Sequence, residues 1–366
     1  MRAAVLEAAG QPLVVHDDIT LADPGPGQVR VRVSHCGVCH SDLSMADGAF
    51  PCPLPVILGH EAAGVIDAIG PNVTGLEPGD HVVMTACPPC GTCYWCVRGE
   101  ASLCVNSNGL VTNALADGST GLSRNGEVVW RGVNLAAFAE YVLTPATGAV
   151  KIAPEVPLEV ACVIGCAVQT GVGAVLNTAQ VVEGATVLIM GLGGIGLSAV
   201  QGARLAGAAR IIASDPLPER REVARGLGAT DLFDPASGDV AAHAHELTGV
   251  GVDYAFETAG RAELVTAGFN AARNGGTIVA VGAPSIEQSI TIEPAAMLTI
   301  SSKRLLGCVL GSVNSLREIP RLVALWQAGR LDLDTLITGR RPLDEINDAM
   351  ADLRAGRGVR TVLSLQ

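Results

Sequence analysis

Little in this sequence is aromatic and little is charged: Trp, Tyr and Phe make up 3%, and Asp, Glu, Lys and Arg together 16%. No basic run exceeds a pair, and 24 lysines and arginines face 36 acidic residues, for a net charge of -12. A nucleic-acid partner or an anionic membrane surface is therefore not expected. No apolar stretch reaches the about 18 residues of a membrane span without interruption; the nearest, residues 185–203, is broken by glycines. The opening MRAAVLEAAG carries a glutamate and a glycine where an export signal needs an unbroken apolar core, so a cytoplasmic location is expected. With 49% hydrophobic residues the chain has ample surface to bury, which excludes wholesale disorder. Its 366 residues suit two domains.

What is present changes character along the chain. Short β-rich runs at 29–33, 63–69 and 81–84, separated by the turn signals DPGPGQ and EPGD, imply an all-β, barrel-like lobe. From residue 185, β runs at 186–190, 211–214, 254–257 and 277–281 alternate with helical stretches that include 195–206 and 218–226. That alternation predicts a parallel, doubly wound sheet. A helix at 316–328 and a closing β run at 360–365 follow, the latter placed to rejoin the first lobe.

In VLIMGLGGIGLSAV, Gly191, Gly193 and Gly196 form G-x-G-x-x-G, with Gly194 and Ile195 inside the turn, after a strand and at the mouth of a helix. Such a turn lets the backbone approach a pyrophosphate seated on the helix N-terminus. Asp215 ends the next strand 19 residues after Gly196, where a carboxylate accepts hydrogen bonds from a ribose and repels the extra phosphate of NADP. NAD is thus the expected cofactor. The alternative is a glycine turn that merely packs a helix on a sheet.

Eleven cysteines occur, an odd number, and five fall between Cys87 and Cys104. Cys90-x2-Cys93-x2-Cys96-x7-Cys104 offers four soft ligands for a tetrahedral structural Zn(II), the alternative being buried or redox thiols without metal. Cys87 receives no ligand role. Other donors are scattered: Cys39 and His40, His60 and Glu61, and Cys166, which spacing alone does not join. Cys36-x2-Cys39-His40 also has the spacing of a covalent c-type haem site.

GVCHSD (37–42), GHEAAGVIDAIGPNV (59–73), PGDHV (78–82), the four-cysteine loop, GCAVQTG (165–171), the dinucleotide turn and GVRTVL (358–363) occur in one order. In that order the chain resembles the zinc-dependent medium-chain alcohol dehydrogenases over nearly its whole length. The loop VNSNGLVTNALADGSTG after Cys104 is similar in form to the branch related to class III, glutathione-dependent formaldehyde dehydrogenases. The resemblance implies an α/β protein. A GroES-like β-rich catalytic domain would span 1–166 and 309–366, with a structural zinc lobe at 87–105, and a Rossmann NAD-binding domain would span 167–308.

It implies two Zn(II) per subunit, the catalytic one on Cys39, His60 and Cys166, with Asp42 bonded to the far nitrogen of His60 and Glu61 behind the metal. The haem reading then fails: Cys39 is assigned to zinc, no export signal occurs, and a nicotinamide fold is the neighbour. Cys36 becomes an ordinary buried thiol. The implied chemistry is reversible oxidation of a primary alcohol, with zinc lowering the proton affinity of the alcohol oxygen, Ser41 passing its proton to the nicotinamide ribose, and hydride moving to C4 of NAD. Arg220 is expected near the adenosine ribose, His40 and Arg360 at the pyrophosphate, and Thr170, Arg261 and Val281 at further cofactor contacts.

There are departures from the family pattern. Ser44 stands where several relatives have a histidine that completes the proton relay. Ala86 stands where relatives often have a bulky pocket residue, which suggests a roomy apolar pocket for longer or aromatic alcohols. The loop after Cys104 lacks the arginine expected to hold glutathione, so thiol-adduct formaldehyde oxidation is a second reading. A polyol dehydrogenase is a third, although that branch tends to use a carboxylate where Cys166 stands, and a zinc protein that senses NAD without chemistry is the non-enzymatic one. His243, His245, Arg340 and Arg341 match no functional motif and read as surface. A homodimer or homotetramer joined through the dinucleotide domain is expected, with an edge strand around 301–310.

Overall fold

The computed structural model describes residues 1–365. They form two compact units, one comprising residues 1–167 with 313–365 and the other Val168–Ser312. The chain builds most of the first unit, then the second, and returns.

In unit 1 the main strands are β1 (Gln28–Gly37), β2 (Glu61–Ile69), β3 (His81–Met84), β4 (Tyr141–Pro145) and β5 (Ala149–Lys151), with two short helices, α1 (His40–Ala46) and α2 (Gly109–Thr112). Val29, Val31 and Val33 alternate into the interior along β1, the period of a half-buried strand. β1 runs on to Gly37, beyond the expected end at residue 33, because its last residues find partners on both sides: Cys36 pairs with Ala62 of β2 and with Leu363 near the C-terminus. Long-range pairing overrides the weak strand propensity of Ser-His-Cys-Gly.

Unit 2 contains β6 (Thr186–Met190), α3 (Gly194–Leu205), β7 (Arg210–Ser214), α4 (Pro218–Leu227), β8 (Asp231–Phe233), β9 (Val252–Glu257), α5 (Ala262–Ala271), β10 (Ala272–Ala280) and β11 (Arg304–Gly307). The strands lie in the order β8-β7-β6-β9-β10-β11, every neighbouring pair parallel. The sequence order reverses direction between β6 and β9, and in open parallel sheets ligands bind at the carboxyl ends of the strands flanking such a point.

The chain then re-enters unit 1 with α6 (Ser315–Gln327), β12 (Ile337–Pro342), α7 (Ile346–Arg354) and β13 (Arg360–Ser364). β13 slots between β1 and β12, giving the path β5-β3-β2-β1-β13-β12 with β4 also on β1. The closing strand does rejoin the first lobe. No single helix among the described residues is long and apolar enough to cross a membrane.

Candidate functional site

Three strands of unit 1 bring one cluster together. Gly37 at the end of β1 faces Glu61 at the start of β2 on one side and Val362 of β13 on the other. The chain leaving β1 therefore carries Cys39 past His60 and Glu61, with Arg360 beside them. Gly37 leaves room for the Glu61 carboxylate, since a Cβ there would sit 2.4 Å from Glu61 Oε2. Cys166 arrives from a short 3-10 turn, Cys162–Gly165, pressed on β3 so closely that a Cβ on Gly165 would lie 2.5 Å from the Met84 carbonyl. The ligand atoms of Cys39, His60, Glu61 and Cys166 all fall within 4.8 Å of one another.

Asp42, buried in the first turn of α1, orients this cluster. Its Oδ2 accepts from the Cys39 amide at 3.1 Å, while Oδ1 accepts from the Gly59 amide at 2.8 Å and lies 3.1 Å from His60 Nδ1. With Nδ1 held, the other ring nitrogen, Nε2, is buried without a hydrogen-bond partner. Such an atom is costly to bury unless it gains a partner. Cys39 is held well below the ordinary thiol range by the Cys166 thiol, against burial, and then by Arg360 and His60. Cys166, its counterpart, is pushed well up. Burial opposes a charged His60, but Asp42 and Cys39 outweigh it and hold the imidazole well above its usual value.

Two thiols and an imidazole aimed at one point, with a carboxylate fixing the imidazole, are the donor set of a catalytic zinc, and these residues fit that ion. Glu61 is otherwise engaged: Oε1 accepts from the Ala167 amide at 3.2 Å and Oε2 lies 3.1 Å from Arg360 Nε. Burial pushes its carboxyl up to about 7 against the pull of Arg360. Arg360, expected at a pyrophosphate, is buried here, its guanidinium on Glu61 and, at 2.7 Å, on the Val38 carbonyl. His40 is exposed at the start of α1, and Ser41 and Ser44 are half-buried in the same helix.

The sulfurs of Cys90, Cys93, Cys96 and Cys104 also lie within 4.8 Å of one another, with Cys90–Cys96 at 4.0 Å and Cys93–Cys104 at 3.9 Å. Thiolates about 2.3 Å from a tetrahedral zinc would be about 3.8 Å apart. A disulfide needs about 2.05 Å. Backbone amides point at the sulfurs: Cys93 N to Cys90 Sγ at 3.3 Å, Cys90 N to Cys104 Sγ at 3.2 Å, and Asn106 N to Cys104 Sγ at 3.4 Å. Amides of Thr92 and Cys93 draw the Cys90 thiol down to about 6, against burial. Cys87 and Cys36 lie outside both groups, buried.

In unit 2 the glycine turn joins β6 to α3. Gly191 adopts φ +91°, and a Cβ on Gly196 would lie 1.9 Å from the Gly191 carbonyl. Gly193, by contrast, would point a Cβ into open space, with no heavy atom within 4 Å, just before Gly194 and Ile195 open the helix. This is a cradle into which a pyrophosphate fits. Asp215 Oδ2 accepts from the Leu192 amide at 2.7 Å and Oδ1 from the Leu217 amide at 2.9 Å, so the acid just past β7 also braces the turn. Arg220 is half-buried in the first turn of α4, while its neighbour Arg221 donates to the Asp215 carbonyl. Thr170 is buried. Arg261, capping α5, is paired with Glu263, and Val281, just past β10, donates its amide to the Glu257 carbonyl.

Ala86 is buried in unit 1, its carbonyl accepting from Asn134. One expectation needs correction: His243, expected on the surface, is half-buried and stacks on Phe233 at 4.7 Å, so it is part of the packing. Two residues escaped the sequence reading altogether. Arg131 is wholly buried and donates to the Thr120, Asn134 and Leu143 carbonyls; Asn134 donates to those of Ala86 and Asn106. Within WRGVN nothing marks either one, since their partners lie up to 48 residues away.

The alcohol dehydrogenase GroES-like domain family matches residues 25–154, and the zinc-binding dehydrogenase family matches residues 194–326. The chain is 39% identical over 365 residues to the NDMA-dependent alcohol dehydrogenase of Amycolatopsis methanolica, covering 99% of this chain and 98% of that protein. Among solved structures, an alcohol dehydrogenase zinc-binding domain protein from Burkholderia ambifaria is 38% identical, with a TM-score of 0.94 over 100% of this chain and 98% of that one. Benzyl alcohol dehydrogenase from Acinetobacter calcoaceticus is 35% identical, with a TM-score of 0.93 over 100% and 99%. With relatives this similar from end to end, and with both donor sets in place, the chain belongs to the zinc-dependent medium-chain alcohol dehydrogenase family.

Proposed function

We propose that this alcohol dehydrogenase oxidises longer-chain or aromatic primary alcohols to aldehydes, reversibly, with hydride passing to NAD. The observation that carries the reading is the buried, partnerless Nε2 of His60, which shares one point with Cys39 and Cys166 while Asp42 holds Nδ1. Zinc bound by these three residues would supply Lewis acidity, making an alcohol oxygen easier to deprotonate. Ser41, two residues beyond Cys39, is the hydroxyl assigned to take the alcohol proton. The Gly191–Gly196 turn offers backbone amides and a helix N-terminus to the cofactor phosphates. The Asp215 carboxylate would accept from the adenosine ribose and repel a 2'-phosphate, which favours NAD over NADP. That one neighbour is named for benzyl alcohol supports an aromatic substrate.

The test follows absorbance at 340 nm with NAD or NADP, zinc-replete protein, and a panel of ethanol, hexanol and benzyl alcohol. Benzyl alcohol should exceed ethanol in kcat/KM, NAD should exceed NADP, and Cys166→Ser should abolish turnover. No NADH from any alcohol would defeat the reading in this form. A second reading, favoured by the 39% identity to an enzyme named for NDMA, is that NDMA replaces free NAD as the acceptor supplied in the assay. Turnover with NDMA and none with added NAD would select it.

A further inference from the structure

We propose that the Asn134 carboxamide is the clasp of the four-cysteine loop and sets how firmly that loop retains zinc. Asn134 is buried, and its Nδ2 donates one hydrogen to the Ala86 carbonyl at 2.8 Å and the other to the Asn106 carbonyl at 3.0 Å. Both partners are acceptors, so only the amine end of the amide can face them. Ala86 lies just before the loop, four residues ahead of Cys90, and Asn106 two residues after Cys104. One side chain therefore ties the strand of chain entering the cluster to the strand leaving it.

The link to the metal ligands is direct. The Asn106 amide donates to Cys104 Sγ at 3.4 Å, and the same sulfur accepts from Cys90 N at 3.2 Å. Holding Asn106 by its carbonyl restrains the same residue's amide, one Cα away, which is a donor that favours the Cys104 thiolate, and orientation of this kind governs how well a site holds its ion. Asn134 is itself held. Its φ of +64° is a left-handed conformation that asparagine tolerates better than most residues. Its carbonyl accepts from the buried Arg131 guanidinium, which also grips Leu143 of β4 at 2.6 Å and so anchors the clasp to the main sheet. Gly109, at the start of α2, leaves the space: a Cβ there would lie 1.9 Å from Asn134 Oδ1.

This inference rests on the four-cysteine loop being a zinc site, and the experiment separates the two. Zinc release to an excess of a metallochromic chelator is followed in the full-length protein and in a Cys39→Ser background, where the four-cysteine ion is the one reported. Asn134→Gly keeps the backbone conformation and deletes the amide; Gly109→Ala leaves Asn134 in the sequence but displaces its side chain. Both should speed release from the four-cysteine site at least tenfold, with the slower change at the Cys39, His60 and Cys166 site in the parent protein. Release within twofold of the parent in both variants, or equal acceleration at both sites, would overturn the clasp. Absence of zinc from the loop in the unmutated protein would instead overturn the zinc reading beneath it.

Discussion

At the scale of single residues, the clearest lever is Asp42. Three hydrogen bonds converge on its two oxygens, and an asparagine could satisfy only those that fall on one of them. Asp42→Asn should therefore lower zinc affinity at the Cys39, His60 and Cys166 site, or kcat/KM, by about 10- to 100-fold, as outer carboxylate partners of ligating histidines do. Metal content under chelator competition, read beside kinetics, checks this; unchanged affinity and rate would remove Asp42 from the account. A second residue makes a pH prediction. Burial pushes the Cys87 thiol up to about 11. A raised folded value means that the contribution to stability is intact below the unfolded value of about 9 and fades as pH climbs from there through about 11. Roughly 1 kcal/mol should be gone by pH 10 and roughly 2–3 kcal/mol above pH 11. Urea midpoints at pH 8 and pH 10 should accordingly fall less for Cys87→Ala than for the parent protein. An equal fall in both would show that Cys87 does not ionise in that range.

At the scale of elements, the glycine turn between β6 and α3 separates two kinds of glycine. Gly196→Ala forces a methyl onto the Gly191 carbonyl, which costs about 1–3 kcal/mol of overpacking and should reduce both stability and NADH affinity. Gly193→Ala meets no protein atom and keeps an accessible φ of −75°, so stability should hold while NADH affinity still falls, the methyl occupying the phosphate cradle. Thermal unfolding and NADH fluorescence titration together distinguish the pair; normal NADH binding by Gly193→Ala would place the phosphates elsewhere. This turn was legible in the sequence because its constraint is local: steric demands on glycines follow directly from strand, turn and helix in succession. Most strands and helices of unit 2 were legible for the same reason, their apolar periods being short-range. Cys39, His60 and Cys166 were not joined by periodicity, since a strand pairing and a turn against β3 bring them together. Resemblance to a family supplied what spacing could not. Asn134 and Arg131 were invisible to both, because their meaning lies in carbonyls that become neighbours only after the loop has folded.

At the scale of the whole molecule, the sheet of unit 2 ends on two edge strands, β8 and β11. β11 pairs with β10 alone among the described residues, and Leu305 on it is 38% exposed. Beside it in sequence, Met297, Leu298, Ile300 and Val309 are exposed as well. An uncovered strand with apolar side chains is a template for pairing with another chain, and proteins ordinarily cover such an edge or blunt it with charge. The homodimer or homotetramer that the family resemblance implies would have a second copy cover it, edge to edge about a twofold axis, so that the same residues serve both partners. Lys303 precedes the strand and Arg304 opens it, but neither interrupts its apolar centre. Leu305→Lys would place a charge in the middle of the proposed seam twice over, once from each copy, while leaving the β10 pairing intact. Sedimentation equilibrium at micromolar concentration should then give half the mass of the unmutated protein, with circular dichroism unchanged. A variant that keeps the parent's mass would show that association, if present, uses another surface and that this edge is protected by some other means.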